Sequence, residues 1–402
     1  MIIELLLALL TGFTLGIVTG LTPGVHSNLI TTLLISLFPT LTFLTPFVAA
    51  VFIVSLAITH TLIEFIPTIF LIVPNEDSFL ALLPGQQLLA QGRAYEAVAL
   101  LTIGSLLGFG ITLLITPLYV VALPKAYALL TGVIPYILLA LSLYLICREE
   151  RPTTALLVFF LAALLGLLTF HLPLREPLLP LLAGLFGLSS MLTTSSIVKI
   201  PLQNTKVELK QIMPRRKEWA SSLSAALLAA PLCSCLPGIG AGHAATLGSE
   251  IIPQNNRSFL LLVGALATAV MSLSFVTVYA IGRARSGAAA AIQEILEPFT
   301  LLQLSHVLIL ISIISCIAAA STLALARRAT IILNKIKYRM LSRVVIIFLM
   351  FLTLIVSGPI GLLVLVTGAA IGMFCIQTLT RRINLMAALI VPAIIFYLTH
   401  YG

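Results

Sequence analysis

The chain has 402 residues, of which 60% are hydrophobic and only 9% are charged. A soluble domain carries about 25% charged residues, so the composition excludes a soluble globular protein. The net charge of +9 is not accompanied by a polar domain that would present a basic face to nucleic acid, so we expect no nucleic-acid partner. The sequence instead predicts an integral membrane protein, because side chains that face lipid are apolar.

Apolar stretches recur along the chain and are separated by short polar loops. A membrane-spanning helix needs about 20 apolar residues, and continuous rather than alternating runs favour helices over a β-barrel. The predicted segments are, in chain order, 2–20, 24–38, 46–73, 95–122, 126–147, 153–171, 177–198, 219–235, 239–252, 258–281, 301–326, 342–357, 359–379 and 383–399. Several are too short to cross a bilayer, so we predict an all-α polytopic membrane protein with roughly 10 to 12 transmembrane helices.

Two polar stretches rich in Lys and Arg interrupt this pattern, at 199–218 and at 327–343. Cytoplasmic loops of membrane proteins carry an excess of Lys and Arg, so both stretches are predicted at the cytoplasmic face of the cell membrane. The first stretch divides the chain into three parts. These are a membrane repeat at 1–198, a basic loop at 199–218 and a second membrane repeat at 219–402.

A Pro-Gly pair at the start of a short apolar segment occurs once in each half of the chain. Pro23-Gly24 opens the first segment and Pro237-Gly238 opens the second. Pro and Gly interrupt a helix, and Pro suits the first turn of the helix that follows. Pro, Gly, Thr and Leu coincide at a fixed offset between the two copies. This predicts an internal repeat, which we expect to be inverted, with a re-entrant or broken helix in each copy.

The start of each short helix is a candidate anion site. The first N–H groups of a helix have no helical partner, and together with the helix dipole they attract negative charge. The alternative is that each Pro-Gly pair is a kink where small residues pack helices tightly. Polar side chains and further glycines follow both pairs. The predicted substrate-binding residues are Pro23, Gly24, His26, Ser27, Asn28, Thr32, Pro237, Gly238, Gly240, Gly242, His243 and Thr246.

Two ionisable residues lie inside the apolar run 46–73. His60 and Glu64 are four residues apart, so they share one face of a helix. An ionisable residue within a membrane span is a functional hypothesis by default. Glu64 is therefore predicted to bind the coupling ion, H⁺ or Na⁺, with His60 sharing the proton. The alternative is a structural hydrogen bond or a position near the membrane surface.

Other polar residues were weighed as gates, metal ligands or catalytic groups. Glu76, Asp77 and Arg93 are candidate gate residues, although the two acids also suit a solvated loop. Cys233 and Cys235 are separated by one residue, whereas structural zinc sites prefer two, so we expect no metal. No Gly-x4-Gly-Lys-Ser/Thr motif is present, which argues against ATP-driven transport. We expect no other cofactor and no enzymatic activity.

Three stretches resemble motifs of the large permease subunit of the tripartite tricarboxylate transporters. They are Gly16-x3-Gly20-x2-Pro23-Gly24, the run from Leu236 to Gly240, and the run from Leu83 to Ala97. The last is similar to the family's Gly-Tyr-Pro-x-Ala-x-x-Gly-Arg-Ala motif. The resemblance follows the order of features over most of the chain. It implies a secondary carrier of citrate-like carboxylates driven by an ion gradient, with a small membrane subunit and a substrate-binding protein as expected partners.

The two Pro-Gly half-helices are also similar to those of bacterial polyprenyl-phosphate translocases. Anion capture at helix N-termini fits a small carboxylate and a lipid phosphate equally well. A third class, a membrane enzyme acting on lipid-linked substrates, ranks last because Glu76 and Asp77 have no His or metal motif beside them. The expected partners are thus a small anionic substrate or a lipid phosphate, the membrane lipids, and a second copy of the chain in a homo-oligomer.

Overall fold

The computed structural model describes residues 2–22, 31, 45–71, 82–130, 132–194, 201–204, 207–235, 240–333, 335 and 338–401. All regular secondary structure within these residues is helical. Eight of the described helices are long and apolar enough to cross a membrane, and the shorter helices Ile134–Cys147 and Leu178–Thr193 are apolar as well. The prediction of an all-α polytopic membrane protein is confirmed.

We number the helices in chain order. The first half contains α1 (Ile2–Leu21), α2 (Pro46–Ile63), α3 (Phe65–Phe70), α4 (Leu82–Ala90), α5 (Ala94–Leu130), α6 (Ile134–Cys147), α7 (Pro152–His171), α8 (Leu178–Leu182), a π-helical turn (Ala183–Leu188) and α9 (Ser189–Thr194). The second half contains α10 (Leu209–Ile212), α11 (Arg216–Cys235), α12 (Ala241–Ile251), α13 (Asn256–Ile281), α14 (Gly287–Ile295), α15 (Leu301–Leu333), α16 (Tyr338–Gln377), a 3₁₀ turn (Arg382–Met386) and α17 (Ala387–Tyr401).

Local sequence sets where the central helix α13 begins and ends. The Asn255 side chain accepts a hydrogen bond from the Ser258 N–H at 2.8 Å, and the Ser258 hydroxyl accepts one from the Asn255 N–H at 2.9 Å. This reciprocal capping box satisfies two N–H groups that the helix itself leaves unpaired. Gly282 follows the last turn with φ +62°, the left-handed conformation that ends many helices.

The helix boundaries differ from the sequence prediction at Pro124. The predicted break between 122 and 126 is wrong, because α5 continues through Pro117 and Pro124 to Leu130. Proline is tolerated inside membrane helices, where neighbouring helices, hydroxyl side chains and local adjustments satisfy the freed carbonyl groups.

Helix α16 contains the interruption that the sequence predicted between 357 and 359. Gly358 has φ +70° and precedes Pro359, so the regular helix cannot pass this point. Ile346 and Leu365, one on each arm, pack into the same apolar cluster. A continuous helix would separate them by about 28 Å, so α16 consists of two arms that fold back on each other.

Helices α2 and α13 form the centre of the protein. Their most apolar stretches are 83% and 89% buried, against 22% for α1 and 28% for α16. α13 packs most extensively against α5, and α2 packs against α1 and α15. The peripheral helices keep their apolar residues exposed, as expected for surfaces that face lipid.

Helices α1 and α2 run in the same direction. A Cβ on Gly12 would overlap the carbonyl oxygen of Phe52, and a Cβ on Gly20 would lie 2.8 Å from the Cβ of Ile63. The number of residues between the two contacting positions is nearly the same in both contacts, which requires the two helices to be parallel. The glycines allow this close approach, as small residues do between membrane helices.

Helices α11 and α13 are also parallel. The Ser222 hydroxyl donates to the Ser258 carbonyl at 2.8 Å, near the start of both helices. Near their ends, the Thr277 hydroxyl lies 3.5 Å from the Ser234 carbonyl oxygen. The pair α11–α13 in the second half therefore repeats the arrangement of the pair α1–α2 in the first half.

The remaining long helices fix the relative direction of these two pairs. α5 is parallel to α13, because Ser105 donates to the Gly264 carbonyl at 3.1 Å and the Tyr119 hydroxyl lies 3.2 Å from that of Thr277. α15 is parallel to α2, because their first turns meet where the rings of Phe47 and His306 lie 5.6 Å apart.

The two sets of helices run in opposite directions. The guanidinium of Arg327, near the end of α15, lies 5.3 Å from the ring centroid of Tyr95, at the start of α5. α1, α2 and α15 therefore run one way, and α5, α11 and α13 run the other.

Candidate functional site

Many of the predicted site residues lie outside the part of the chain that the structure describes. These are Pro23, Gly24, His26, Ser27, Asn28, Thr32, Pro237, Gly238, Glu76 and Asp77. Residues Gly240, Gly242, Thr246, His60, Glu64 and Arg93 are described in full, and His243 is described as part of α12 without its side chain.

Helix α12 is the short helix that follows the second Pro-Gly pair. It has 11 residues, or about 16 Å, which is half of what a membrane span needs. Its N-cap is Gly240, with extended backbone at φ −93° and ψ −176°. Gly242 is buried in the first turn, and the Thr246 hydroxyl donates to the Gly242 carbonyl at 3.2 Å. Gly240 and Gly242 thus leave the backbone at these two positions without side chains over it.

Helix α12 runs back along α11. A Cβ on Gly248 would lie 3.3 Å from the Cβ of Ala225. Past the end of α12, the Gln254 side chain donates to the Ser221 carbonyl at 3.1 Å, close to the start of α11. The start of α11 and the end of α12 therefore lie at the same face of the protein. The start of α12 lies away from that face, in the interior of the protein.

A buried polar cluster joins α1 to the end of α2. The side chains of His60 and Glu64 are only 4% and 8% exposed, and His60 Nε2 lies 3.4 Å from Glu64 Oε2. On the other side of the ring, His60 Nδ1 lies 3.0 Å from the Thr19 hydroxyl. The sequence-predicted pair is therefore brought together, and Thr19 is the member that the sequence prediction missed.

The Thr19 hydroxyl has two partners. It donates to the Gly16 carbonyl at 3.3 Å, and it lies 3.0 Å from His60 Nδ1, where the direction of the hydrogen bond depends on the tautomer of the imidazole. The ring thus bridges the Thr19 hydroxyl on α1 and the Glu64 carboxylate at the end of α2.

Glu64 lies where the membrane helix lacks one hydrogen bond. Its own backbone is helical, with φ −61° and ψ −17°, and it makes helical hydrogen bonds to His60 at 2.9 Å and to Thr68 at 3.1 Å. Pro67 lacks the N–H that would otherwise donate to the Ile63 carbonyl, so the helix continues with one bond missing. Glu64 is thus an ionisable side chain inside a buried span, which is by default a functional hypothesis.

Arg93 belongs to an ion-pair cluster at one face of the protein. Its guanidinium donates to both carboxylate oxygens of Glu96 at 2.8 Å. Glu96 also pairs with Arg257, which in turn lies 3.2 Å from Glu218 and donates to the Ile212 carbonyl at 2.7 Å. The cluster ties the starts of α5, α11 and α13 to the loop before α11. The gate role of Arg93 stays a prediction.

The sequence prediction missed Glu96, Glu218 and Arg257 as a group. Each lies in the first turn of its helix, and an acid in a first turn reads as ordinary stabilisation of the helix dipole. Their meeting depends on α5, α11 and α13 starting at the same face, which no local pattern indicates. Among the described residues, no three His, Cys, Asp or Glu side chains are grouped to hold a metal ion.

The long apolar helices, the interrupted spans and the buried ionisable pair define a multi-pass membrane protein of the transporter class. The chain belongs to the tripartite tricarboxylate transporter TctA family, whose profile matches residues 6–387. An uncharacterized protein of Methanocaldococcus jannaschii is 28% identical over 359 residues, covering 86% of this chain and 88% of that relative. No solved structure matches the chain.

Family membership confirms the resemblance drawn from the three motifs. The chain is a transport protein of the membrane, and the family supplies the large membrane component of tricarboxylate transporters. Its members usually work with a small membrane subunit and a substrate-binding protein.

Proposed function

We propose that this chain is the permease of a secondary transporter that moves an organic anion, such as a di- or tricarboxylate, across the cell membrane. The observation that carries the proposal is the buried pair of His60 and Glu64 inside a membrane helix, in a chain of the tricarboxylate transporter family. A buried carboxylate is costly in a membrane span, and function is the usual reason for it.

The pair is proposed to bind the coupling ion. His60 Nε2 lies 3.4 Å from the Glu64 carboxylate, and an imidazole beside a carboxylate can share a proton, which favours H⁺ over Na⁺ in this proposal. Bending of the helix where Pro67 leaves one hydrogen bond missing would change the access of this site from one side of the membrane to the other. Ion binding and the position of the helices would then be linked.

The two halves are proposed to be inverted repeats. The pairs α1–α2 and α11–α13 are each parallel, but they run in opposite directions, and so do α5 and α15. The helices at 82–90 and 287–295 precede α5 and α15 and have nine residues each. This arrangement supports a substrate site near the middle of the membrane, between the segments that begin at Pro23-Gly24 and Pro237-Gly238.

The start of α12 is the described part of the proposed substrate site. Gly240 and Gly242 allow a carboxylate to approach the backbone N–H groups of the first turn, where the helix dipole is positive. Two hydroxyls on α13, Thr268 and Ser272, are fully buried and have no hydrogen-bond partner among the described residues. Buried hydroxyls nearly always have partners, so these two are further candidates for contact with the substrate.

The face that carries the ion-pair cluster is proposed to be cytoplasmic. The basic start of α11 and the basic end of α15 lie there. The turn between α6 and α7 lies there as well, because Arg148 of this turn pairs at 2.6 Å with Glu250, which is near the end of α12. Lys and Arg are concentrated on the cytoplasmic side of membrane proteins. Since α1 starts at the opposite face, its first residue is proposed to face the cell exterior.

The transporter is proposed to work with the two partners usual for the family, a small membrane subunit and a substrate-binding protein. A homo-oligomer is proposed as well.

The second candidate function is translocation of a polyprenyl phosphate. The observation that favours it is the start of α12, which would bind a lipid phosphate as readily as a carboxylate.

A thermal titration distinguishes the two substrates. We expect citrate to raise the unfolding temperature of the detergent-purified chain, because a ligand at about 100 times its Kd adds about 2.7 kcal/mol to the stability of the folded state. The Gly24→Leu variant, with an unchanged melting temperature without ligand, is expected to lose the response. A response to a polyprenyl phosphate alone would replace the carboxylate with the lipid, and no response to either would contradict both.

A further inference from the structure

A groove between α5 and α11 opens on the side of the protein that faces lipid. It encloses ≈ 510 Å³ and is lined by one side of α5 from Ile103 to Leu114, by Trp219 and Leu223 of α11, and by Met213. The stretch of α5 is about 16 Å long, close to the thickness of one leaflet of the hydrocarbon core. It begins near the face that carries the basic loops. The groove thus has the length of one hydrocarbon chain in a single leaflet.

Gly110 leaves the groove open and is not needed for the packing of α5 against another helix. Gly104 and Gly108 on the same helix are needed for contact with α13, since a Cβ on either would overlap a carbonyl oxygen of that helix. A Cβ on Gly110 would meet no atom within 4 Å. Glycine weakens a helix relative to alanine, so a glycine without a packing role calls for another reason. The space that it leaves for a ligand in the groove supplies one.

The membrane-surface end of the groove is basic. Arg216, Trp219 and Leu223 follow each other at spacings of three and four residues, so they form one stripe along α11. Trp219 and Leu223 line the groove, and Arg216 is exposed at the start of the same stripe. Tryptophan is typical of the level of the lipid headgroups. The stripe therefore presents a cation where the groove meets the headgroups.

Glu218, the acidic residue in the first turn of α11, does not neutralise the positive charge of Arg216. The Glu218 side chain is 6% exposed and lies 3.2 Å from Arg257, on the inner side of α11. Its other oxygen accepts a hydrogen bond from the Arg215 N–H at 2.8 Å. Arg215 and Lys217, the neighbours of Arg216, are exposed and add positive charge at the membrane surface.

We propose that this groove is a binding site for a membrane phospholipid with a negatively charged headgroup. One hydrocarbon chain fills the groove beside Gly110, and the phosphate lies against Arg216. A basic pocket between helices at the cytoplasmic face is the setting in which anionic lipids bind to membrane proteins. The site is separate from His60, Glu64 and the start of α12, so it does not depend on the identity of the transported substrate.

The test compares two lipids with identical chains, dioleoyl phosphatidylglycerol and dioleoyl phosphatidylcholine, added to the delipidated full-length chain in detergent. We expect phosphatidylglycerol to give the larger rise in melting temperature. Gly110→Phe should remove most of that rise by filling the groove. Leu118→Phe is the matched control, because Leu118 is 71% exposed two turns further along α5, beyond the groove, and this variant should respond as the natural chain does.

The headgroup is tested with Arg216→Gln. This variant should lose most of the preference for phosphatidylglycerol, with Arg215 and Lys217 retaining a small part of it, whereas Arg328→Gln, which removes an exposed charge from the end of α15, should keep the preference in full. Equal stabilisation of the natural chain by both lipids would overturn the proposal. So would an undiminished response of Gly110→Phe, or an equal loss in Leu118→Phe, which would indicate general lipid coating. If the groove instead bound a helix of the small membrane subunit, Gly110→Phe would weaken copurification of that subunit and leave the lipid response unchanged.

Discussion

Replacing Glu64 with glutamine is expected to abolish ion-driven accumulation of the substrate while leaving exchange of substrate across the membrane intact. Glutamine keeps the size of the side chain but cannot hold the coupling ion beside His60. A tenfold ion gradient supports at most about tenfold accumulation for each ion coupled, because a factor of ten is worth 1.4 kcal/mol. In proteoliposomes, the variant should therefore equilibrate citrate without concentrating it, and loaded vesicles should still exchange labelled for unlabelled citrate.

Thr61→Val is the matched control for this variant. Thr61 lies on the same helix between His60 and Glu64, but its hydroxyl donates to the Ala57 carbonyl of its own helix at 2.9 Å. Its replacement should leave accumulation unchanged. Concentrative uptake by Glu64→Gln at the natural level would show that Glu64 does not carry the coupling ion and that its pairing with His60 is structural.

Gly108→Val is expected to prevent stable folding. A Cβ at this position would overlap the carbonyl oxygen of Ala265, well inside the 3.0 Å that real Cβ atoms keep. Extra methyl groups in a packed core typically cost about 1–3 kcal/mol. The cost here should lie at or above the top of that range, since the obstacle is backbone that cannot move without separating α5 from α13. Gel filtration and the melting temperature of the purified variant measure the effect.

Gly110→Val provides the comparison within the same helix. A Cβ on Gly110 meets no atom within 4 Å, so this variant should fold and melt close to the natural chain. Melting temperatures at the natural level for both variants would mean that α5 and α13 are not in the close contact described above. An equally lowered melting temperature in both would mean that β-branched residues are rejected by α5 in general rather than by its interface with α13.

The membrane architecture could be predicted largely from the sequence, because lipid imposes a simple rule on composition and segment length. The segment boundary between 357 and 359 was also predicted, and the structure has left-handed backbone at Gly358 there, before Pro359. The same local reasoning failed at Pro124, where α5 continues. Surrounding helices stabilise a membrane helix around a proline, and the local sequence does not contain that information.

The candidate site was predictable where its residues share one helix. His60 and Glu64 lie four residues apart, so their proximity follows from helix geometry alone. Thr19 contacts His60 only because α1 and α2 are parallel and close at Gly16 and Gly20. The direction of one helix relative to another depends on the packing of the whole chain. The contact between His60 and Thr19 therefore needed the structure.

Uptake of labelled citrate into proteoliposomes under an imposed gradient is the most direct test of the proposed function. With a tenfold inward gradient of H⁺ or Na⁺, the natural chain is predicted to accumulate citrate by about tenfold for each ion coupled, and an ionophore that dissipates the gradient should abolish the accumulation. The small membrane subunit and the substrate-binding protein are added in a parallel experiment. Folded protein that shows no uptake above protein-free vesicles, with either gradient and with both partners present, would contradict the account.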